Sequence, residues 1–227
     1  VSTVAADRRG AAVPNGPAGF RYGVVLVIVL ATVVFEVLAP DADWARAVAI
    51  ALVGSALTVA VATSRARAQV RRARMYVVGG VAFLVVVGIA TGLVNQWGAF
   101  LVGTLLVASI PIALGGGLLR LIRDEGVTVQ AVAGALAVYL LVGLLFASAI
   151  SFGASVHSGF FADAGHVTNG DRVYYSFTVL TTTGFGDYTT ATPAGHALAV
   201  LEMLIGQLYL VTVIGILIGN FVGRKRT

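Results

Sequence analysis

Residues 173–187 carry two features in succession whose chemistry points to a cation. The first is Val173-Tyr174-Tyr175-Ser176-Phe177-Thr178-Val179-Leu180-Thr181-Thr182, apolar and aromatic but only ten residues long. As a helix it would reach roughly 15 Å, about half the hydrocarbon thickness of a bilayer. It reads as a re-entrant half-helix. The second is the pair Gly184 and Gly186 around Phe185, followed by Asp187. A dehydrated cation such as potassium needs its water oxygens replaced by backbone carbonyls aimed at a common axis. Aligning successive carbonyls demands alternating backbone signs, and glycine reaches positive φ without strain. Non-helical backbone at membrane depth is tolerated only where protein or a water-filled cavity satisfies it. The half-helix would direct its negative C-terminal end at the loop, which favours a cation.

Such a loop needs helices to hold it, and the composition supplies them. Hydrophobic residues make up 58% of the chain and charged residues 11%, well below the roughly 25% charge that a soluble domain uses to cover its surface. Six apolar stretches run over 22–38, 45–63, 76–95, 100–119, 127–152 and 195–222, each long enough or nearly so to span a bilayer. The Lys and Arg residues alternate between the intervening loops. One side takes Arg8, Arg9, Arg21, Arg65, Arg67, Arg71, Arg72, Arg74, Arg120, Arg123, Arg224, Lys225 and Arg226; the other takes only Arg46 and Arg172. Cytoplasmic loops are the basic ones, so both termini are expected in the cytoplasm of a cell that carries the chain in its plasma membrane. The basic balance does not imply nucleic acid, because the charges sit between apolar stretches. The expected fold class is an all-α membrane protein with six transmembrane helices and a re-entrant pore helix and filter loop between helices five and six. The expected divisions are a mobile tail at 1–21, a four-helix peripheral domain at 22–126 and a pore domain at 127–227. There is no cysteine, so disulfides and thiolate metal sites are excluded.

Thr181-Thr182-Thr183-Gly184-Phe185-Gly186-Asp187-Tyr188 resembles the signature of potassium channels, usually written T-V-G-Y-G-D. The Phe form is similar to filters of two-pore-domain and inward-rectifier channels. Gly206 lies twenty-four residues after Thr182, where small bacterial two-helix channels carry an inner-helix hinge glycine. Phe221-Val222-Gly223-Arg224 resembles the end of that helix. The likeness covers about 173–224 and, more loosely, the fifth span. It implies that Thr182, Thr183, Gly184, Phe185 and Gly186 line a selectivity filter, with the carbonyls of the first four coordinating K+. It further implies filter support from Asp187, Thr178, Tyr175 and Glu202, with Gly206 as a hinge and Gln207 toward the cavity. One filter strand cannot surround an ion, so the working unit is expected to be a homotetramer. K+ would be the only cofactor, with no organic group and no enzyme chemistry.

Two positions depart from the family. Thr183 replaces the usual Val or Ile, and its hydroxyl needs a partner in the filter wall. Thr178 stands where some relatives carry a bracing Glu. Glu202, inside the last span, reads either as a brace behind the filter, bonded to a half-helix hydroxyl such as that of Thr178, or as an ion-binding group; the brace is preferred. Glu36 reads as interfacial. His157, Asp163 and His166 read as a solvated turret rather than a metal or pH site. Arg65–Arg74 reads as a topology determinant, with an anionic-lipid site as the sharper alternative. Gly115-Gly116-Gly117 and Pro111 suggest a kinked or closely packed fourth span. Two other functions fit less of the pattern: a weakly selective cation channel, suggested by Thr183, and a potassium transporter subunit. The latter would carry several filter-like loops, and the sequence has one.

The fourth span bears on gating. Moving one charge through the membrane field contributes about 2.3 kcal/mol per 100 mV, so steep voltage dependence needs several charges per subunit. Residues 100–119 contain no Lys or Arg. The few residues after the last span also lead to the expectation that no ligand-sensing domain follows. Any voltage dependence of conduction should therefore be shallow. Gating currents that persist with the pore blocked, together with a steep sigmoidal conductance–voltage curve, would contradict this reading of the first four spans.

Overall fold

The computed structural model describes residues 21–42, 128–162 and 165–224, with isolated positions between 44 and 55. The tail at 1–20, the predicted spans at 76–95 and 100–119, most of the span at 45–63, the Arg65–Arg74 cluster, Pro111, the Gly115–Gly117 run and Asp163 lie outside the described residues. The described part is all-helical, with helices α1 (Arg21–Leu38), α2 (Val129–Val156), α3 (Asn169–Leu180) and α4 (Pro193–Arg224). By length and composition, two stretches can cross a membrane: Val129–Val156, and Pro193–Val213 within α4. At about 1.5 Å per residue, α3 reaches only about 18 Å.

Local chemistry sets the helix ends. Thr128 caps α2, its side chain accepting from the Ala131 amide at 3.2 Å. Thr168 and Asp171 form a reciprocal capping box at the start of α3. This Thr-x-x-Asp signal begins α3 four residues before the expected Val173, because it satisfies two amides that would otherwise be orphaned. Pro193 opens α4 two residues ahead of the expected Gly195. That is a position where its fixed φ suits a helix and its missing N–H costs nothing.

Helix α2 is the centre of the assembly, since α1, α3 and α4 all pack on it. One core joins Tyr22, Val25 and Val29 of α1 to Ala137, Val138, Leu141, Leu144 and Ala147 of α2 and Val173 of α3. Small residues let the backbones close up. A second core, of Ile150, Phe160, Phe161, Tyr175 and Val179, lies beneath the loop that follows α3. That loop is tied to the α2–α3 connection by an isolated antiparallel bridge between Phe161 and Thr190. Its bonds run from the Ala162 amide to the Thr189 carbonyl and from the Ala191 amide to the Phe160 carbonyl, both 2.8 Å. In contrast to α2, α4 is thinly covered: Leu201, Leu204, Leu208 and Val211 are all exposed. Their spacing of three, four and three makes one continuous apolar seam.

The end of α1 meets the start of α3. The Asn169 amide donates to the Asp41 carboxylate at 3.0 Å, and the Asn169 side chain donates to Glu36 at 3.5 Å. Gly170 makes room for this approach, since a Cβ there would lie 2.7 Å from the Val37 carbonyl oxygen. Backbone cannot yield as a side chain can. Gly170→Ala should therefore force α1 off α3 and cost about 1–3 kcal/mol. The check is the melting temperature of the purified protein in detergent, which should fall for Gly170→Ala. It should hold for Gly165→Ala, where nothing lies within 4 Å of the added carbon.

Candidate functional site

The loop after α3 is built on the last turn of that helix. The carbonyl of Thr178 accepts the amides of Thr183 at 2.8 Å and Gly184 at 3.2 Å, and the Val179 carbonyl accepts the Thr182 amide at 2.9 Å. From there the backbone alternates. Thr182 has φ 56°, Gly184 φ 53° and Gly186 φ 81°, so positive values fall on every second residue. Glycine takes such angles freely, whereas Thr182 is strained and persists only because its surroundings hold it. The two glycines are legible in the sequence; the third member of the alternation, a threonine, is not.

The side chains of the loop brace one another. The Thr181 and Thr183 hydroxyls are 2.9 Å apart, and Thr181 also donates to the Phe177 carbonyl at 2.7 Å. The hydroxyl of Thr183 thus has the partner its position requires. Thr182 donates to the Thr181 carbonyl at 2.7 Å and accepts from the Gln207 amide at 3.2 Å. Gln207 therefore reaches the start of the loop from α4. The Phe185 ring stacks on Tyr174, with centroids 6.4 Å apart and planes 4° from parallel. Tyr174 in turn hydrogen-bonds to the Asp187 carboxylate, which also accepts the Tyr188 amide at 3.1 Å.

A second polar pair lies at the start of α3. Burial acts to raise the Asp171 carboxyl, but hydrogen bonds from Thr168 and Tyr188 outweigh it and hold that carboxyl below its ordinary range. The same bond to Asp171 pushes the Tyr188 phenol up. The Tyr188 ring stands edge-on to Tyr174, at 6.2 Å, and to Phe161, at 6.4 Å. Phe161 is edge-on to Tyr175 at 5.3 Å. Tyr175 therefore supports the loop from below, through ring packing.

Behind the loop, Glu202 is fully buried and its carboxyl contacts the Ser176 hydroxyl at 2.5 Å. The partner expected from the sequence, Thr178, spends its hydroxyl on the Tyr175 carbonyl at 2.8 Å. Ser176 faces α4, whereas Thr178 holds the loop through its carbonyl. Sequence reading missed Ser176, although it lies on α3 two residues from the position named. It also missed Tyr139 and Tyr209. The Tyr139 hydroxyl donates to the Leu180 carbonyl at 3.3 Å, and that of Tyr209 donates to the Ala135 carbonyl at 2.6 Å. Their rings stack at 5.9 Å and join α2 to α4.

His157 ends α2, and His166 lies in the α2–α3 connection. Among the described residues no three His, Cys, Asp or Glu side chains gather as a metal site.

The geometry defines a short helix between two long apolar ones, ending in a loop of alternating backbone sign. Residues 134–222, which hold nearly all of that arrangement, match the family model described as ion channel. The chain thus carries an ion-channel domain over that segment, and its long apolar helices mark it as a membrane protein. No curated protein and no solved structure gives a match.

Gly206, expected as a hinge, also makes a close approach to α3. Helix α4 runs unbroken through it, and an added Cβ would lie 2.6 Å from the Leu180 carbonyl oxygen and 2.9 Å from its Cδ1. The glycine lets α4 press against the end of α3. Helix propensity alone would make Gly206→Ala stabilising by about 1 kcal/mol. The close approach predicts the opposite sign, a loss of about 1–3 kcal/mol. Melting in detergent decides between them, with Gly215→Ala, which meets nothing within 4 Å, as the variant that should not lose stability.

Proposed function

We propose that the chain is one subunit of a homotetrameric, potassium-selective channel, with Thr182–Gly186 as its selectivity filter and α3 as a re-entrant pore helix. The observation that carries this reading is the alternation of positive φ at Thr182, Gly184 and Gly186. A strand whose backbone sign reverses at every residue turns its successive carbonyls toward one side. Four such strands around an axis would offer rings of oxygens that replace a hydration shell. In the single chain Thr181–Asp187 is exposed, as a strand that faces an axis would be before its three neighbours are added. The apolar seam on α4 fits the same assembly, because it would pack against the other copies.

In this reading K+ is the cargo, and the filter carbonyls are those of Thr182, Thr183, Gly184 and Phe185. Asp187 and Tyr174 brace the outer end, and Gln207 braces the inner end through the Thr182 hydroxyl. The channel is passive and lacks steep voltage gating. Thr183 is the one reason to weigh a weakly selective cation channel, and the bond from its hydroxyl to Thr181 favours a filter wall that is held in place.

Flux into liposomes under opposed K+ and Na+ gradients tests the proposal. The wild type should pass K+ in strong preference to Na+. Gly186→Ala should abolish that preference, because φ 81° is a conformation in which a Cβ is strained. Thr183→Val, a change of nearly constant volume, should keep it. Equal K+ and Na+ flux in the wild type, with preference gained in Thr183→Val, would establish the weakly selective channel instead.

A further inference from the structure

Three helices meet at Ser176, and the hydrogens there can be counted. Its Oγ lies 2.8 Å from the Gly143 carbonyl oxygen of α2 and 2.5 Å from Glu202 Oε1 of α4. A carbonyl can only accept, and an ionised carboxylate can only accept. A serine hydroxyl has one hydrogen to give. With Glu202 ionised, that hydrogen would have two acceptors, and one of the two close oxygen pairs would have no proton between them. With Glu202 protonated, every close pair is bonded: the acid O–H donates to Ser176, and Ser176 donates to Gly143.

The surroundings lead to the same assignment. Glu202 and Ser176 are both 0% exposed. The second carboxyl oxygen, Oε2, is buried and has no hydrogen-bond partner. An ionised carboxylate in that setting would leave half its charge without a donor, which is far costlier than a neutral carbonyl oxygen in the same place. The titratable groups facing it are the phenols Tyr139 from α2 and Tyr175 from α3. Among the described residues no Lys, Arg or His forms an ion pair with it.

We propose that Glu202 is a neutral carboxylic acid whose proton is a structural donor, forming a directed chain from Glu202 to Ser176 to the Gly143 carbonyl that clamps α3 between α2 and α4. Glu202 is then a positioning residue for the loop after α3. The significance of that loop as a filter rests on the proposed function, whereas the protonation and the clamp do not.

Infrared difference spectroscopy of the full chain at neutral pH reads the proton directly. The difference between wild type and Glu202→Gln should show the loss of one carboxylic-acid C=O band and no loss of carboxylate bands. Ser176→Ala should shift that acid band, because the O–H loses its acceptor. Melting in detergent adds the clamp: Glu202→Gln, whose amide can still donate to Ser176, should melt close to the wild type, and Glu202→Leu well below it. Loss of carboxylate bands in Glu202→Gln overturns the protonation. An acid band unmoved by Ser176→Ala, or Gln melting as low as Leu, overturns the clamp. None of these readouts requires ion flux, so they stand or fall separately from the potassium reading.

Discussion

The carbonyl of Thr178 is the point on which the site depends. It accepts two amides of the following loop, those of Thr183 and Gly184, at a helix end where carbonyls otherwise lack partners. That double acceptance turns the chain out of the helix and sets the first positive φ at Thr182. The alternation through Gly184 and Gly186 follows from this start. Everything else in the described structure serves to keep α3 still: α2 beneath it, α4 pressed to its last carbonyl through Gly206, the end of α1 against its first turn, and Ser176 bonded on both sides. A loop with so few internal bonds can hold an unusual backbone only if its foundation does not move.

The sequence was most legible where residue type alone dictates conformation. Gly184 and Gly186 announce their backbone, and the apolar runs at 22–38, 127–152 and 195–222 appear as α1, α2 and α4 within a few residues. It was least legible where tertiary approach decides. Nothing in the pattern says that Ser176 rather than Thr178 turns toward Glu202, because both hydroxyls lie on α3 and only the rotation of the helix separates them. Gly206 shows the same limit. A mid-helix glycine does not by itself announce close packing, which depends on a carbonyl contributed by another helix. The Thr168–Asp171 box was readable and would have placed the start of α3 correctly. The strain at Thr182 was not, since a threonine seldom adopts positive φ.

The division of labour between the two long helices follows from their surfaces. Helix α2 is apolar all round and covered by three neighbours, so it behaves as a core element of the described fold. Helix α4 is also apolar over its first two-thirds, though less so than α2, and leaves its seam of Leu201, Leu204, Leu208 and Val211 open. Among the described residues, packing is therefore complete around α2 and open along α4.

The contact between Asp41 and Asn169 joins residues 128 positions apart, and this separation has a consequence for biosynthesis. At roughly 5–20 residues per second, α3 leaves the ribosome on the order of ten seconds after the end of α1. During that interval α1 must wait without the contacts it finally makes to α3, with Thr32 and Glu36 on its length. Thr32 needs no help, because its hydroxyl donates to its own helix at the Ile28 carbonyl. Glu36 has no such local recourse. Its side-chain partner, Asn169, arrives only with α3. The order of synthesis thus favours a late docking of the finished α3 onto a waiting first helix.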